Sequence, residues 1–92
     1  MLKISEEKRG RQAITLLLEG RIVGPWVDEL RQVCESFARD GVKLTLNLEE
    51  VAFADDNGIS LLVGLRARGV RLLHTTPFVE QQLKAIAPKA VA

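Results

Sequence analysis

Segments in which apolar and polar residues alternate predict the strands of a β-sheet. The clearest segment is VKLTLNLEEV, residues 42–51, where Val or Leu occupies every second position from 42 to 48 and Lys43, Thr45, Asn47 and Glu49 form the other side. Because the second side of this strand is polar, one face of the sheet is expected to be incompletely covered. Shorter or more apolar segments predict the remaining strands at residues 2–5, 13–18 and 70–73.

Three other segments carry apolar residues at spacings of three and four, which is the pattern of an amphipathic helix. The first begins at Pro25, because proline suits the first position of a helix, and ends at Gly41, which can adopt the left-handed conformation after a last turn. The second follows the acidic residues 55–56 and ends before Gly69. The third begins at Pro77, and its predicted inward face comprises Phe78, Val79, Leu83 and Ile86.

The predicted order of elements is strand, strand, helix, strand, helix, strand, helix. The first two strands can pair as a hairpin, whereas strands joined through a helix run parallel and cross over right-handed. With 92 residues, the chain has the length of one small domain. The predicted fold is a single α/β domain over residues 1–92. We expect a small, mostly parallel mixed sheet of about four to five strands, with the helices packed mainly on one face.

The charge balance argues against nucleic acid as a partner. Thirteen Lys and Arg stand against 12 Asp and Glu, and no basic stripe is interleaved with aromatic residues. The single cysteine, Cys34, cannot form an internal disulfide, which suits a reducing cytosol. No apolar run approaches the ~18 residues that crossing a bilayer requires, and the first residues are charged where a secretory signal would be apolar. We therefore expect a cytoplasmic protein that does not insert into membranes.

The acidic junction ADDNG, residues 54–58, separates a predicted strand from a predicted helix. A β-hairpin turn at Asn-Gly is disfavoured, because the residues that follow have helical spacing. A structural role is expected instead. Asp56 or Asn57 is predicted to cap the helix with its side chain, and Gly58 is predicted to let the chain turn tightly.

Four carboxylates lie in this junction and just before it, and clustered carboxylates suit hard cations. Their spacing matches no cation-binding loop, and no further ligand residues accompany them, so no metal site is predicted. The four residues are Glu49, Glu50, Asp55 and Asp56.

No pattern of residues predicts an enzyme. His74, the only histidine, has no Ser, Cys or carboxylate at motif spacing, and Cys34 lies on the apolar side of the first helix. Arg66, Arg68 and Arg71 follow one another closely, but no glycine-rich loop accompanies them to hold a nucleotide, so we interpret them as a solvated face. We predict neither catalysis nor a bound cofactor.

Several consecutive segments carry a family resemblance. They are the strand LTLNLEEV, the junction AFADDNGISLL, the helix end RARGVRL and a Thr-Pro-Phe helix start. In this order they resemble the STAS domains, whose best-known members are bacterial anti-sigma factor antagonists, over about residues 16–83. The family loop commonly reads Asp-Ser-Ser/Thr-Gly, and a partner kinase phosphorylates its first Ser, which releases the antagonist. Asp55 and Gly58 match this pattern, whereas Asp56 stands in place of the phosphorylated Ser.

The resemblance implies a non-catalytic regulatory module that binds another protein, as an anti-sigma factor antagonist-like component of a bacterial partner-switching system. The implied partner is an anti-sigma factor or serine kinase-like protein. The alternative is a regulatory subunit that binds the ATPase of an ABC-type lipid transporter, since stand-alone STAS domains also serve there. The implied contact residues are Asp55, Asp56, Asn57, Gly58 and, one turn into the helix, Ser60.

The aspartate at position 56 changes what the resemblance implies. A serine kinase cannot phosphorylate an aspartate, and one carboxylate carries about half the charge of a phosphoserine. The loop is therefore expected to remain in one electrostatic state. The open sheet face and the N-terminal edge strand are compatible with a monomer or a weak homodimer.

Overall fold

One mixed β-sheet lies at the centre of the protein. The structure, a computed structural model, describes residues 2–86, so residues 1 and 87–92 of the predicted domain lie outside the described residues. Within the described part the sheet has four strands, β1 (Leu2–Gly10), β2 (Ala13–Ile22), β3 (Lys43–Ala54) and β4 (Arg71–Leu73), arranged in the order β1-β2-β3-β4. β1 pairs antiparallel with β2, whereas β3 runs parallel to both β2 and β4. The predicted α/β fold with a mixed, mostly parallel sheet is confirmed.

The helices pack on the face of the sheet that carries the alternating leucines of β2 and β3, and together they enclose the core. Leu18, Leu46 and Leu48 on the strands, and Leu30 and Leu62 on the helices, have no exposed surface. Burial of this size stabilises a fold by about 1.5–3 kcal/mol per large aliphatic side chain. The helices are α1 (Pro25–Arg39), α2 (Asp56–Ala67) and α3 (Pro77–Ile86).

β1 continues well beyond the residues that its pattern predicts. The apolar signal ends near Ser5, but the strand runs to Gly10 through a polar segment. The backbone of this segment pairs with β2, and a bulge shifts the register between Glu6 and Lys8. Strand pairing needs backbone hydrogen bonds rather than apolar side chains, and charged side chains are usual on an edge strand.

Phe78 departs from the predicted inward face of α3. Val79 and Leu83 are buried as predicted, but Phe78 is 41% exposed. It is the second residue of the helix, and its ring stacks on Phe53 at the edge of the core, with 5.5 Å between the ring centroids. The side chain of Ile86, which was predicted to share this face, lies outside what the structure describes.

The second face of the sheet is open, as predicted, but it contains one buried polar side chain. Asn47 of β3 is only 5% exposed. Its Nδ2 donates to Oε1 of Glu7 at 3.0 Å, and its Oδ1 accepts from the backbone N–H of Glu49 at 3.0 Å. The amide is therefore satisfied on both sides, which is what a buried polar group requires.

Candidate functional site

The carboxyl ends of two neighbouring strands meet the amino-terminal ends of two helices. β2 ends at Ile22 and β3 at Ala54, and these two residues are paired in the sheet. α1 begins at Pro25 and α2 at Asp56, so both strand-to-helix connections are very short and lie side by side. In open α/β sheets, this edge is where binding sites are usually built.

Asp55 joins the two connections with its side chain. Its Oδ1 accepts from the backbone N–H of Gly58 at 2.7 Å, and its Oδ2 accepts from the backbone N–H of Gly24 at 3.0 Å. Asp55 is thus the N-cap of α2. The prediction that Asp56 or Asn57 caps the helix is wrong, because these residues already lie within the first turn, where their own amide groups need acceptors.

These two bonds also fix the charge of Asp55. The Gly58 N–H, and after it the Gly24 N–H, hold the pKa of the carboxyl below its usual value, since both bonds favour the ionised form. The carboxylate also lies at the positive end of the α2 dipole. The site therefore has a fixed negative charge that serves an internal, structural purpose.

Gly58 is required for a different reason from the predicted one. The residue is buried inside the first turn of α2 and does not have the left-handed backbone of a tight turn. A Cβ at this position would collide with the backbone carbonyl oxygen of Ile22 and approach the Ala54 Cβ to 3.3 Å. Glycine is needed because the helix comes this close to the ends of β2 and β3.

The residues that are left exposed lie on the outer side of the first turns of α2. Asp56, Asn57 and Ser60 are all exposed, whereas Asp55 is half-buried. Asp56 and Ser60 are four positions apart in the helix, so they lie on one face. The structure thus separates the predicted contact residues into two that hold the loop and three that present polar groups to solvent.

An aromatic pair lies next to the loop, and sequence reasoning did not find it. Phe53, two residues before Asp55, is 37% exposed and stacks on Phe78. The guanidinium of Arg21 lies over the Phe53 ring, with its Cζ 5.8 Å from the ring centroid. The sequence shows a large apolar residue, Phe53, in the same strand as the alternating segment. The face of the sheet that Phe53 takes depends on the register shifts between β2 and β3, which no sequence pattern shows.

The remaining candidate residues form no second site of this kind. Between residues 2 and 86, no three His, Cys, Asp or Glu side chains are grouped as metal ligands. His74 is exposed, and burial raises the pKa of the Cys34 thiol to about 11. Nor does any helix of that part of the chain have the length and apolarity that crossing a membrane requires.

Comparisons with known proteins give a structural likeness. No family model matches the chain, and no curated protein matches it. The fold is similar to the solved structure of the anti-sigma factor antagonist SpoIIAA in its unphosphorylated form, with a TM-score of 0.68 and 22% sequence identity. The match covers 89% of this chain and 82% of that one. At this identity the likeness shows the fold, which is the STAS fold that the sequence resemblance implies.

A second solved structure, the crystal structure of Mglu, has a TM-score of 0.58 and 26% identity to this chain. The match covers 75% of this chain but only 18% of that one. The similarity to Mglu is thus limited to a small part of a longer protein.

Proposed function

We propose that this domain is a non-catalytic, protein-binding regulatory module that acts in the cytoplasm as an anti-sigma factor antagonist-like component of a partner-switching system. The likeness of its fold to SpoIIAA, an anti-sigma factor antagonist, supports this class of function. The contact surface consists of residues 55–58 and the exposed side of α2.

The observation that carries the proposal is the exposure of Asp56 at the first position of α2. Asp55, Gly24 and Gly58 hold the loop beneath it, so the position of Asp56 does not depend on a partner. In the STAS family, the position that Asp56 takes is that of the phosphorylated serine. A carboxylate there keeps one negative charge, whereas a serine would alternate between none and nearly two.

The partner must therefore recognise a permanent charge. A cationic side chain, Arg or Lys, is the group that complements Asp56, and Arg is favoured because its planar fork can bind a carboxylate through two hydrogen bonds. The aromatic pair of Phe53 and Phe78 offers an apolar contact next to it, since exposed aromatic side chains are common anchors in protein interfaces. The partner class that fits is an anti-sigma factor or serine kinase-like protein.

Affinity capture with three forms of the domain tests the proposal. The wild-type domain, Asp56→Ala and the control Asp40→Ala, which removes an exposed carboxylate at the other end of α1, are compared by quantitative mass spectrometry. We expect wild type and Asp40→Ala to retain an anti-sigma factor or kinase-like protein. Asp56→Ala should retain about tenfold less of it, because a tenfold loss of affinity corresponds to one charge-assisted contact. Equal retention by all three forms excludes the loop as the contact. Retention of an ABC ATPase instead supports the transporter alternative.

The purified partner then tests whether the charge is fixed. If the partner is a kinase, Asp56→Ser is expected to become phosphorylated at position 56 with ATP, whereas the wild-type loop is not. Phosphorylation of wild type at Ser60, the one serine or threonine of α2, would contradict a loop with one charge state.

A further inference from the structure

A cavity of about 1080 Å³ lies at the other end of the sheet from residues 55–58. It is built where β2 and β3 begin and where α1 and α2 end, and its lining includes Ala13, Lys43 and Gly69. Its lining includes both Ile14, on the helix-covered face, and Thr15, on the open face, so the volume extends around the end of the sheet and is not one enclosed pocket. The proposed protein contact is centred at the opposite end of the domain, on residues 55–58.

The charged residues that line this cavity are all cationic. They are Lys8, Arg9, Lys43, Arg68 and Arg71, and no Asp or Glu is among the lining residues. Two of these five residues have a structural role within the fold. Arg9 pairs with Glu6 at 2.6 Å, and Arg68 is the C-cap of α2, where helix carbonyls attract a cation. Lys8, Lys43 and Arg71 are exposed, and none of the three forms an ion pair with a residue that the structure describes.

Strand register brings these free cations together with two hydroxyl groups. Lys8 is paired with Thr15, Thr15 with Thr45, and Thr45 with Arg71, so the four residues form one row across all four strands. We call them the Lys8–Arg71 row. Neighbouring residues of such a row have Cβ atoms about 5 Å apart, which lets two threonine hydroxyls bind different oxygens of one tetrahedral anion. Lys43, two residues before Thr45, points to the same side of the sheet.

Glu7, the acidic residue that adjoins the row in the sequence, is bonded to Asn47. Glu7 precedes Lys8, and its carboxylate accepts both contacts from the Asn47 amide, at 3.0 and 3.3 Å. Asn47 lies two residues beyond Thr45 on the same side of β3, so Glu7 is held toward the middle of the sheet. The Asn47 amide is neutral, so Glu7 keeps its negative charge, but the three cations of the row and of position 43 outnumber it and the local net charge is positive.

We propose that the Lys8–Arg71 row is a binding site for a phosphate group, which belongs either to a soluble phosphorylated compound or to the headgroup of an anionic lipid. The two threonine hydroxyls donate to the phosphate oxygens, and Lys8, Lys43 and Arg71 neutralise its charge. This site is separate from the loop at residues 55–58, and it does not depend on the proposed regulatory function.

Titration with sodium pyrophosphate at constant ionic strength, followed by amide NMR shifts, tests the soluble source. We expect saturable shifts at Thr15 and Thr45. Arg71→Gln should weaken binding about tenfold, and Thr45→Val about fivefold, in line with the loss of one charge-assisted and one neutral hydrogen bond. The matched control is Arg66→Gln, because Arg66 pairs with Glu80 at 3.7 Å and does not line the cavity.

Flotation with vesicles tests the lipid source. Vesicles of phosphatidylcholine with phosphatidylglycerol are compared with vesicles of phosphatidylcholine alone. Binding only to the anionic vesicles, lost in Arg71→Gln and kept in Arg66→Gln, supports the site with a lipid as its ligand. Binding of pyrophosphate alone supports a soluble ligand. The proposal is overturned if neither probe binds, or if Arg66→Gln weakens binding as much as Arg71→Gln, because the attraction would then be a general effect of surface charge.

Discussion

The backbone N–H of Gly24 donates a hydrogen bond of 3.0 Å to Oδ2 of Asp55, although the two residues are 31 positions apart in the chain. Oδ1 of the same carboxylate accepts from Gly58 at 2.7 Å. A single ionised side chain thus connects the start of α1 with the first turn of α2. The stability of the edge that carries the proposed contact surface should therefore depend on the ionisation of Asp55.

The first prediction concerns this dependence on pH. The pKa of Asp55 in the folded protein is lower than in an unfolded chain, so its ionised form contributes stability above about pH 4, and this contribution is lost as the pH falls through the folded pKa. Asp55→Asn keeps one acceptor but directs an amide N–H₂ toward a backbone N–H. We expect a lower Tm than wild type at pH 7 and a difference that narrows below pH 4.

Thermal unfolding followed by circular dichroism at pH 7, 4 and 3 measures this difference. Asp40→Asn, at the exposed C-cap of α1, is the control, and its Tm at pH 7 should stay close to that of wild type. A difference between wild type and Asp55→Asn that stays constant down to pH 3 would show that the ionised carboxylate adds nothing to stability.

A second prediction separates two glycines of the same helix. A Cβ at Gly58 would meet the carbonyl oxygen of Ile22, whereas a Cβ at Gly64 has nothing within 4 Å. Gly58→Ala should therefore destabilise the fold by about 1–3 kcal/mol, as overpacking does. Gly64→Ala should stabilise it by about 1 kcal/mol, because alanine is the better helix former. Urea unfolding measures both, and equal effects of the two substitutions would contradict the close approach.

The contrast between these glycines shows what the sequence could and could not predict. The order of elements followed from periodicity, and Pro25, Gly41 and Gly69 marked helix ends correctly, because these signals are local. The capping bond from Gly58 to Asp55 is local, but the second bond of Asp55, to Gly24, and the need for glycine at position 58 beside Ile22 involve residues far away in the chain. No local pattern contains such distances, so the sequence predicted the loop as a candidate contact but not its internal geometry.

Contacts between distant parts of the chain also decide the position of Phe78. A third prediction tests that position. Helical spacing assigned Phe78 to the inward face of α3, but its second position in the helix places it beside Phe53 with 41% of its surface exposed. Phe78→Ala should cost about 1 kcal/mol, the value of an aromatic pair. Leu83→Ala, at a buried position of the same helix, should cost about 2–5 kcal/mol.

Urea unfolding gives both values, and the captured partner gives a second measurement. We expect Phe78→Ala to weaken partner binding while the domain remains folded, since the ring lies next to the proposed contact surface. A loss of stability as large as that of Leu83→Ala would mean that Phe78 belongs to the core after all.

The last prediction concerns the buried amide of the open face. Asn47 donates to the Glu7 carboxylate, so Asn47→Asp would set two carboxylates against each other. At pH 7 we expect a loss of about 1–3 kcal/mol in the free energy of unfolding, which is the range for a buried polar group that loses its partner. Adding Glu7→Gln should restore most of it, because the glutamine amide can donate to the new aspartate. Urea unfolding at pH 7 measures this cycle, and a double variant no more stable than Asn47→Asp would show that Glu7 and Asn47 do not interact.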